Sequence, residues 1–142
     1  MAEYTNSLEQ TVEANSNVLF TETPVKDGGC IRHREGSGLI TLRGFTNSQC
    51  RARFLVTFGA NVAIPTGGTV GPISVAIALD GEAISSSTMI STPAAVEEFN
   101  NISGSIFIDV PRGCCATLSV KNITTDTPIL ISNANLIVTR EA

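Results

Sequence analysis

Residues 51–58 read Arg-Ala-Arg-Phe-Leu-Val-Thr-Phe, and the alternation within them decides the fold. Successive side chains of an extended chain point to opposite faces. Ala52, Phe54, Val56 and Phe58 therefore share one face, and Arg51, Arg53, Leu55 and Thr57 share the other. An apolar face backed by a mixed one is the mark of a strand covered on one side. The following stretch is almost free of charge: from Phe54 to Val96 the charged residues are Asp80 and Glu82 alone, flanking Gly81. Such a segment is built mainly to be covered, by its own core or by another copy of the chain.

The uncharged run from Phe54 to Leu79 is long enough to cross a bilayer, but it contains Pro65, Pro72 and four glycines. A spanning helix must satisfy its own backbone hydrogen bonds, and Pro65-Thr-Gly-Gly-Thr-Val-Gly-Pro72 breaks it in the middle. The same residues suit a loop between two strands. After it, Val75, Ile77 and Leu79 alternate with Ser74, Ala76 and Ala78, and Asp80-Gly81 is a hairpin signal. The return strand runs from Glu82 towards Ile90.

Short strands continue on both sides. Candidates are residues 17–20, 31–35 and 39–43 before the central strand, then 105–110, 116–121, 129–131 and 136–140 after it. Turn signals separate them at Asp27-Gly28-Gly29, Asn47-Ser48-Gln49, Pro111-Arg112-Gly113 and Asp126-Thr127-Pro128, while Pro24 ends the first. Thr92-Pro93 suits the start of a short helix over 94–99. About nine strands with turns every 8–12 residues and almost no helix predict an all-β antiparallel sandwich, and at this size a jelly roll. Val75, Ile77, Leu79, Ile106, Ile108, Leu136 and Val138 are the residues expected in the core or at contacts between subunits. Pattern does not separate those two roles.

The chain has 142 residues, enough for one domain with a short tail. Residues 1–17 are polar and aperiodic, and read as an N-terminal arm ordered only against a partner. Tyr4, Leu8 and Val12 are its apolar anchors. Residues 18–142 form the jelly-roll domain in this reading. The N-terminal segment has neither a basic region nor an apolar core, so no secretory signal is expected.

Charged residues make up 15% of the chain against a usual quarter, which favours an assembly over a free monomer with a conventional surface. The net charge of −4 argues against nucleic acid, which needs a basic footprint. Arg32, His33, Arg34, Arg43, Arg51 and Arg53 form a local basic concentration, read as strand residues that are paired or solvated, or as a patch for an acidic partner. Cys30, Cys50, Cys114 and Cys115 show no metal-ligand spacing. They read as reduced thiols, with a Cys30–Cys50 bridge as the rival.

Little in the chain points to catalysis. The single histidine, His33, lies between two arginines, and no nucleophile elbow accompanies it. The acids are scattered, and one Tyr with no Trp leaves few platforms for sugars. Thr66–Gly71 is glycine-rich but lacks the Lys and the following helix of a phosphate loop. Asn101-Ile-Ser and Asn122-Ile-Thr match the glycosylation pattern by chance. No catalytic residue, cofactor or metal is expected.

Three segments carry a resemblance: 64–89 (IPTGGTVGPISVAIALDGEAISSSTM), 107–124 (FIDVPRGCCATLSVKNIT) and 134–141 (ANLIVTRE). In their hairpin, V-P-x-G turn and apolar last strand they resemble the trimeric jelly rolls of the tumour-necrosis-factor and complement-head type. In bacteria that fold caps collagen-like spore-surface proteins, but this chain has no Gly-X-Y tract. Over about residues 17–142 the chain is similar to small proteins of gut Firmicutes and their phages, of the capsid decoration or head-fibre kind. The resemblance implies a homotrimer and a non-enzymatic virion role, assembled in the bacterial cytoplasm. The partners would be other copies and the major capsid protein or another virion protein, reached through the arm. A receptor- or glycan-binding head is the alternative.

Overall fold

The computed structural model describes residues 1–26, 30–44, 51–111 and 115–141. The turns expected at 27–29, 47–49 and 112–113, and Cys50 and Cys114, lie outside the described residues. The strands are β1 (Ala2–Asn6), β2 (Gln10–Val12), β3 (Glu22–Val25), β4 (Ile31–His33), β5 (Ile40–Arg43) and β6 (Arg51–Ala63). They continue as β7 (Ile73–Leu79), β8 (Glu82–Ala83), β9 (Met89–Ser91), β10 (Asn100–Pro111), β11 (Cys115–Asn122) and β12 (Ile129–Arg140). They form two antiparallel sheets. The first runs β10-β6-β12-β1-β3, with β2 also on β12. The second runs β4-β5-β11-β7-β8, with β9 also on β7.

The alternation of residues 51–58 extends to Ala63, and β6 lies between β10 and β12. Ala52, Phe54, Val56, Phe58, Ala60 and Val62 are buried against the second sheet. Phe58 meets Phe20 edge to face at 6.3 Å, a favourable arrangement for aromatic quadrupoles. The Asp80-Gly81 hairpin forms as read, with φ of 52° and 85° in the positive region a primed turn requires. Asp80 also ties the turn to β11: its Oδ1 accepts from the Thr117 N–H at 2.8 Å.

The segments 129–131 and 136–140 are one strand with a bulge. Ser132 pairs with Asn61 and Asn135 with Gly59, so two residues of β12 stand opposite Ala60 alone. Asn133, one of the two, has φ 56°. A bulge inserts one residue and switches which parity faces inward. Ile129 and Ile131 are buried before it, and Ala134, Leu136 and Val138 after it.

The edge beside β7 is also interrupted. Between β8 and β9 a short 3-10 turn, Ser85–Ser87, carries the chain away from the ladder. Ile77 would lose a partner there. The Ser87 hydroxyl replaces it, accepting from the Ile77 N–H at 2.9 Å and donating to the Ile84 carbonyl at 2.7 Å. No helix forms over 94–99; that segment turns, with Glu97 at φ 61° donating its N–H to the Ile64 carbonyl. Pro24 does not end a strand but sits within β3. β3 lies at a sheet edge, where a missing N–H is tolerated.

The largest departure concerns residues 1–17. They are no separate arm. β1 is inserted between β12 and β3, with Tyr4 opposite Leu136, and β2 pairs with the start of β12. The chain then crosses to the second sheet, where Asn17 bridges to Lys121 and the Val18 N–H donates to the Val120 carbonyl at 2.8 Å. Gly38 permits this crossing, because a Cβ there would stand 2.6 Å from the Val18 carbonyl oxygen. The polar composition misled: alternate residues Ala2, Tyr4 and Asn6 are buried, and the half-buried Glu3 and Thr5 between them supply the polarity.

Candidate functional site

Of the seven residues expected in the core or at contacts between subunits, five are interior. Val75, Ile77, Ile108, Leu136 and Val138 are buried between the sheets, and Leu79 and Ile106 are half-buried against the same cluster. Tyr4 and Val12 are also core residues, each 2% exposed, whereas Leu8 is 73% exposed. The spacing of four that grouped these three belongs to a helix, and the segment is extended.

The neighbouring positions on the same strands make the more informative surface. The outer face of the first sheet is a grid of rows running across β10, β6, β12 and β1. Asp109 stands beside Arg53. Phe107, Leu55 and Thr139 form the next row, followed by Ser105, Thr57, Ile137 and Glu3. Ser103, Gly59, Asn135 and Thr5 come after, and Asn101 and Asn61 close the grid beside the bulge. Phe107 is 60% exposed.

The polar side chains of this face largely satisfy one another. Arg53 donates to both carboxylate oxygens of Asp109, at 2.8 and 3.1 Å. That carboxylate holds the guanidinium above its usual pKa through the hydrogen bond first and its charge second. Thr57 and Ser105 share a hydroxyl hydrogen bond of 2.9 Å. Asn101 donates to Asn61 at 3.3 Å, Asn61 donates to Asn133 at 3.2 Å, and Asn135 donates to Glu3. Between the Arg53 and Asn61 rows the charged side chains are Arg53, Asp109 and Glu3, each partnered within the face. Covering such a surface strands few polar groups, and stranded groups are the main cost of covering a polar face.

The basic residues read together from sequence are divided by the fold. Arg32 and Arg43 lie on strands of the second sheet, while Arg53 is paired on the first. His33 ends β4, its ring 4.6 Å from that of Tyr4. Its Nε2 lies 2.7 Å from the Ser37 carbonyl, which can only accept, so Nε2 carries the proton. Tyr4, Thr23, Lys26, Ile31, Arg32, His33 and Glu35 line a cleft of about 480 Å³ there. Cys30 and Cys115 are free thiols, and the Cys30–Cys50 alternative falls outside the described residues. Among the described residues no cluster of three or more His, Cys, Asp or Glu is placed to hold a metal. Among the described residues no helix is long and apolar enough to cross a membrane.

Asn122 of the second sequon is fully buried and cannot accept a glycan in the folded chain. Its Nδ2 donates to the carbonyls of Val12 (3.0 Å) and Thr127 (2.9 Å), and its Oδ1 accepts from the Thr124 N–H at 3.0 Å. It joins the N-terminal segment, β11 and the loop before β12. Sequence reading missed this role. The Asn-x-Thr spacing that looked like a sequon is what lets the amide oxygen cap the Thr124 N–H two residues on.

No protein-family model matches the chain, and no curated protein matches it. Solved structures do. The globular domain of zebrafish complement 1qA protein is 8% identical over 96% of this chain and 94% of its own, with a TM-score of 0.63. The Eiger TNF of S. frugiperda is 11% identical over 99% and 91%, with a TM-score of 0.69. Murine APRIL is 9% identical over 95% and 97%, with a TM-score of 0.51. At such identities the likeness concerns the fold. The two antiparallel sheets and these neighbours together make the chain an all-β jelly-roll sandwich, similar in fold to the complement and tumour-necrosis-factor domains it matches.

Proposed function

We propose that this protein is a non-enzymatic structural head that assembles as a homotrimer through the outer face of the β10-β6-β12-β1 sheet and decorates a phage capsid. The observation that carries the reading is that face: apolar at Phe107, Leu55 and Ile137, with hydroxyls and amides largely paired among themselves and its charges, Arg53, Asp109 and Glu3, partnered within it. Apolar area removed from water stabilises by about 25 cal/mol per Å². A face whose few charges are partnered within it meets another copy with little like-charge repulsion. The likeness to complement and tumour-necrosis-factor heads supports a fold used for assembly and binding rather than catalysis. Attachment to the capsid falls to a surface of the folded sandwich, because Tyr4 and Val12 are core residues.

Sedimentation of the purified chain is expected to give the mass of three copies, and cosedimentation with capsids of the phage that encodes it is expected to deplete it from solution. A monomer at all concentrations refutes the assembly. A trimer that ignores capsids refutes the decoration role.

The cleft at His33 favours one alternative, a receptor- or glycan-binding head. Two cations, Lys26 and Arg32, stand there with Thr23 and the Tyr4 ring. A trimer that binds acidic glycans and not capsids would establish that reading in place of decoration.

A further inference from the structure

Gly59 stands in the middle of the longest strand, where glycine is a poor choice. It has no side chain to pack, and it loses more conformational freedom on ordering than any other residue. Glycine in a strand interior is explained by a bulge, an unusual φ, or close approach of something else. The bulge lies on β12, with Gly59 on the regular side opposite. Its φ is not among the positive ones. A Cβ built on it would lie 3.8 Å from the Ile102 carbonyl oxygen and 3.9 Å from the Ser103 Cβ, which is ordinary contact. No contact among the described residues requires a glycine there, which leaves close approach from outside as the cause.

Gly59 faces outward, since Phe58 and Ala60 on either side of it are buried. It makes a hollow between Ser103 and Asn135 in the outer grid. The same face carries a projection, the Phe107 ring, 60% exposed on the edge strand β10. Phe107 pairs with Leu55, four residues along β6 from Gly59. At about 3.3 Å per residue that is about 13 Å, too far for the ring to reach the hollow of its own chain. A projection and a hollow at different places on one surface make a head-to-tail contact, which closes into a ring when the rotation allows.

We propose that the Gly59 hollow receives the Phe107 ring of a neighbouring copy. This rests on assembly through the outer face and names its joint. Gly59→Val keeps a strand-favouring residue and fills the hollow; Phe107→Ser removes the projection from an exposed site. Both are read by light scattering after size exclusion, with circular dichroism to verify the fold. Wild type is expected at three chains and each variant at one, with native spectra. Mixing the two variants restores one joint, the intact Phe107 of one with the intact Gly59 of the other, and is expected to give a two-chain species. If Gly59→Val fails to fold, Gly59→Ser replaces it, read at the lowest concentration at which wild type assembles. Wild type and both variants at three chains would overturn this joint and leave assembly through the face standing. Single variants at one chain with no two-chain species on mixing would overturn the pairing. A monomeric wild type would overturn both readings.

Discussion

Alanine substitution at Tyr4, Val12 and Leu8 separates an N-terminal arm from an N-terminal strand. If residues 1–17 were an arm, all three changes would leave the stability of the domain alone. In the structure Tyr4 and Val12 are each 2% exposed and Leu8 is 73% exposed. Tyr4 lies in β1 opposite Leu136, its ring 4.6 Å from that of His33. Removing a buried aromatic side chain costs about 3–5 kcal/mol. Val12→Ala deletes two buried carbons at about 0.8 kcal/mol each, plus a cavity contribution, for about 2–3 kcal/mol. Leu8→Ala is expected within about 0.5 kcal/mol of the parent. Near this chain length each kcal/mol moves the melting temperature by about 3–5 °C. Tyr4→Ala should therefore melt about 9–25 °C low, Val12→Ala about 6–15 °C low, and Leu8→Ala with the parent. The assay is thermal and urea unfolding followed by circular dichroism, at one protein concentration so that assembly contributes equally. Equal melting of all three variants and the parent would refute the insertion of β1 and β2 into the first sheet.

Two further substitutions probe single hydrogen-bonding side chains. Asn122→Ala strands the Val12 and Thr127 carbonyls and the Thr124 N–H; at about 1–3 kcal/mol per stranded group, with partial solvation of the loop, a loss of about 2–4 kcal/mol is expected in urea unfolding. Asn122→Asp, which points a carboxylate at two carbonyls, should be worse than alanine at neutral pH. Ser87→Ala leaves the Ile77 N–H without its acceptor, for about 1–3 kcal/mol and faster amide exchange at Ile77 by hydrogen-exchange NMR.

Much of the architecture was legible because a strand is a local pattern. The alternation at 51–58, the primed turn at Asp80-Gly81 and the break at 65–72 each depend on residues close in sequence, and each appears where local chemistry puts it. The low charge was legible too, and it pointed to a covered surface. What sequence could not supply was any feature that depends on a distant partner. The bulge at Asn133 exists because β12 must match β6 on both sides of Ala60, so residues 129–140 read as two strands with opposite parities. Residues 1–17 read as solvated because their polarity is averaged along the chain, whereas burial depends on β12 and β3 being there to take alternate side chains.

The candidate site divides in the same way. Apolar content picked out Val75, Ile77, Ile108, Leu136 and Val138, and the structure gives them to the core. The surface proposed for assembly lies on the outward-facing positions of the first sheet, at Leu55, Gly59, Phe107 and Ile137, where polar and small residues stand between the apolar ones and leave no apolar signal. By itself the sequence determined a sandwich of short strands with too little charge for an ordinary surface, because alternation, turn residues and composition are properties of the chain alone. Only the tertiary structure decided which uncharged residues face each other across the core and which face outward, because that depends on the register of strands more than 130 residues apart in sequence, as with Tyr4 and Leu136.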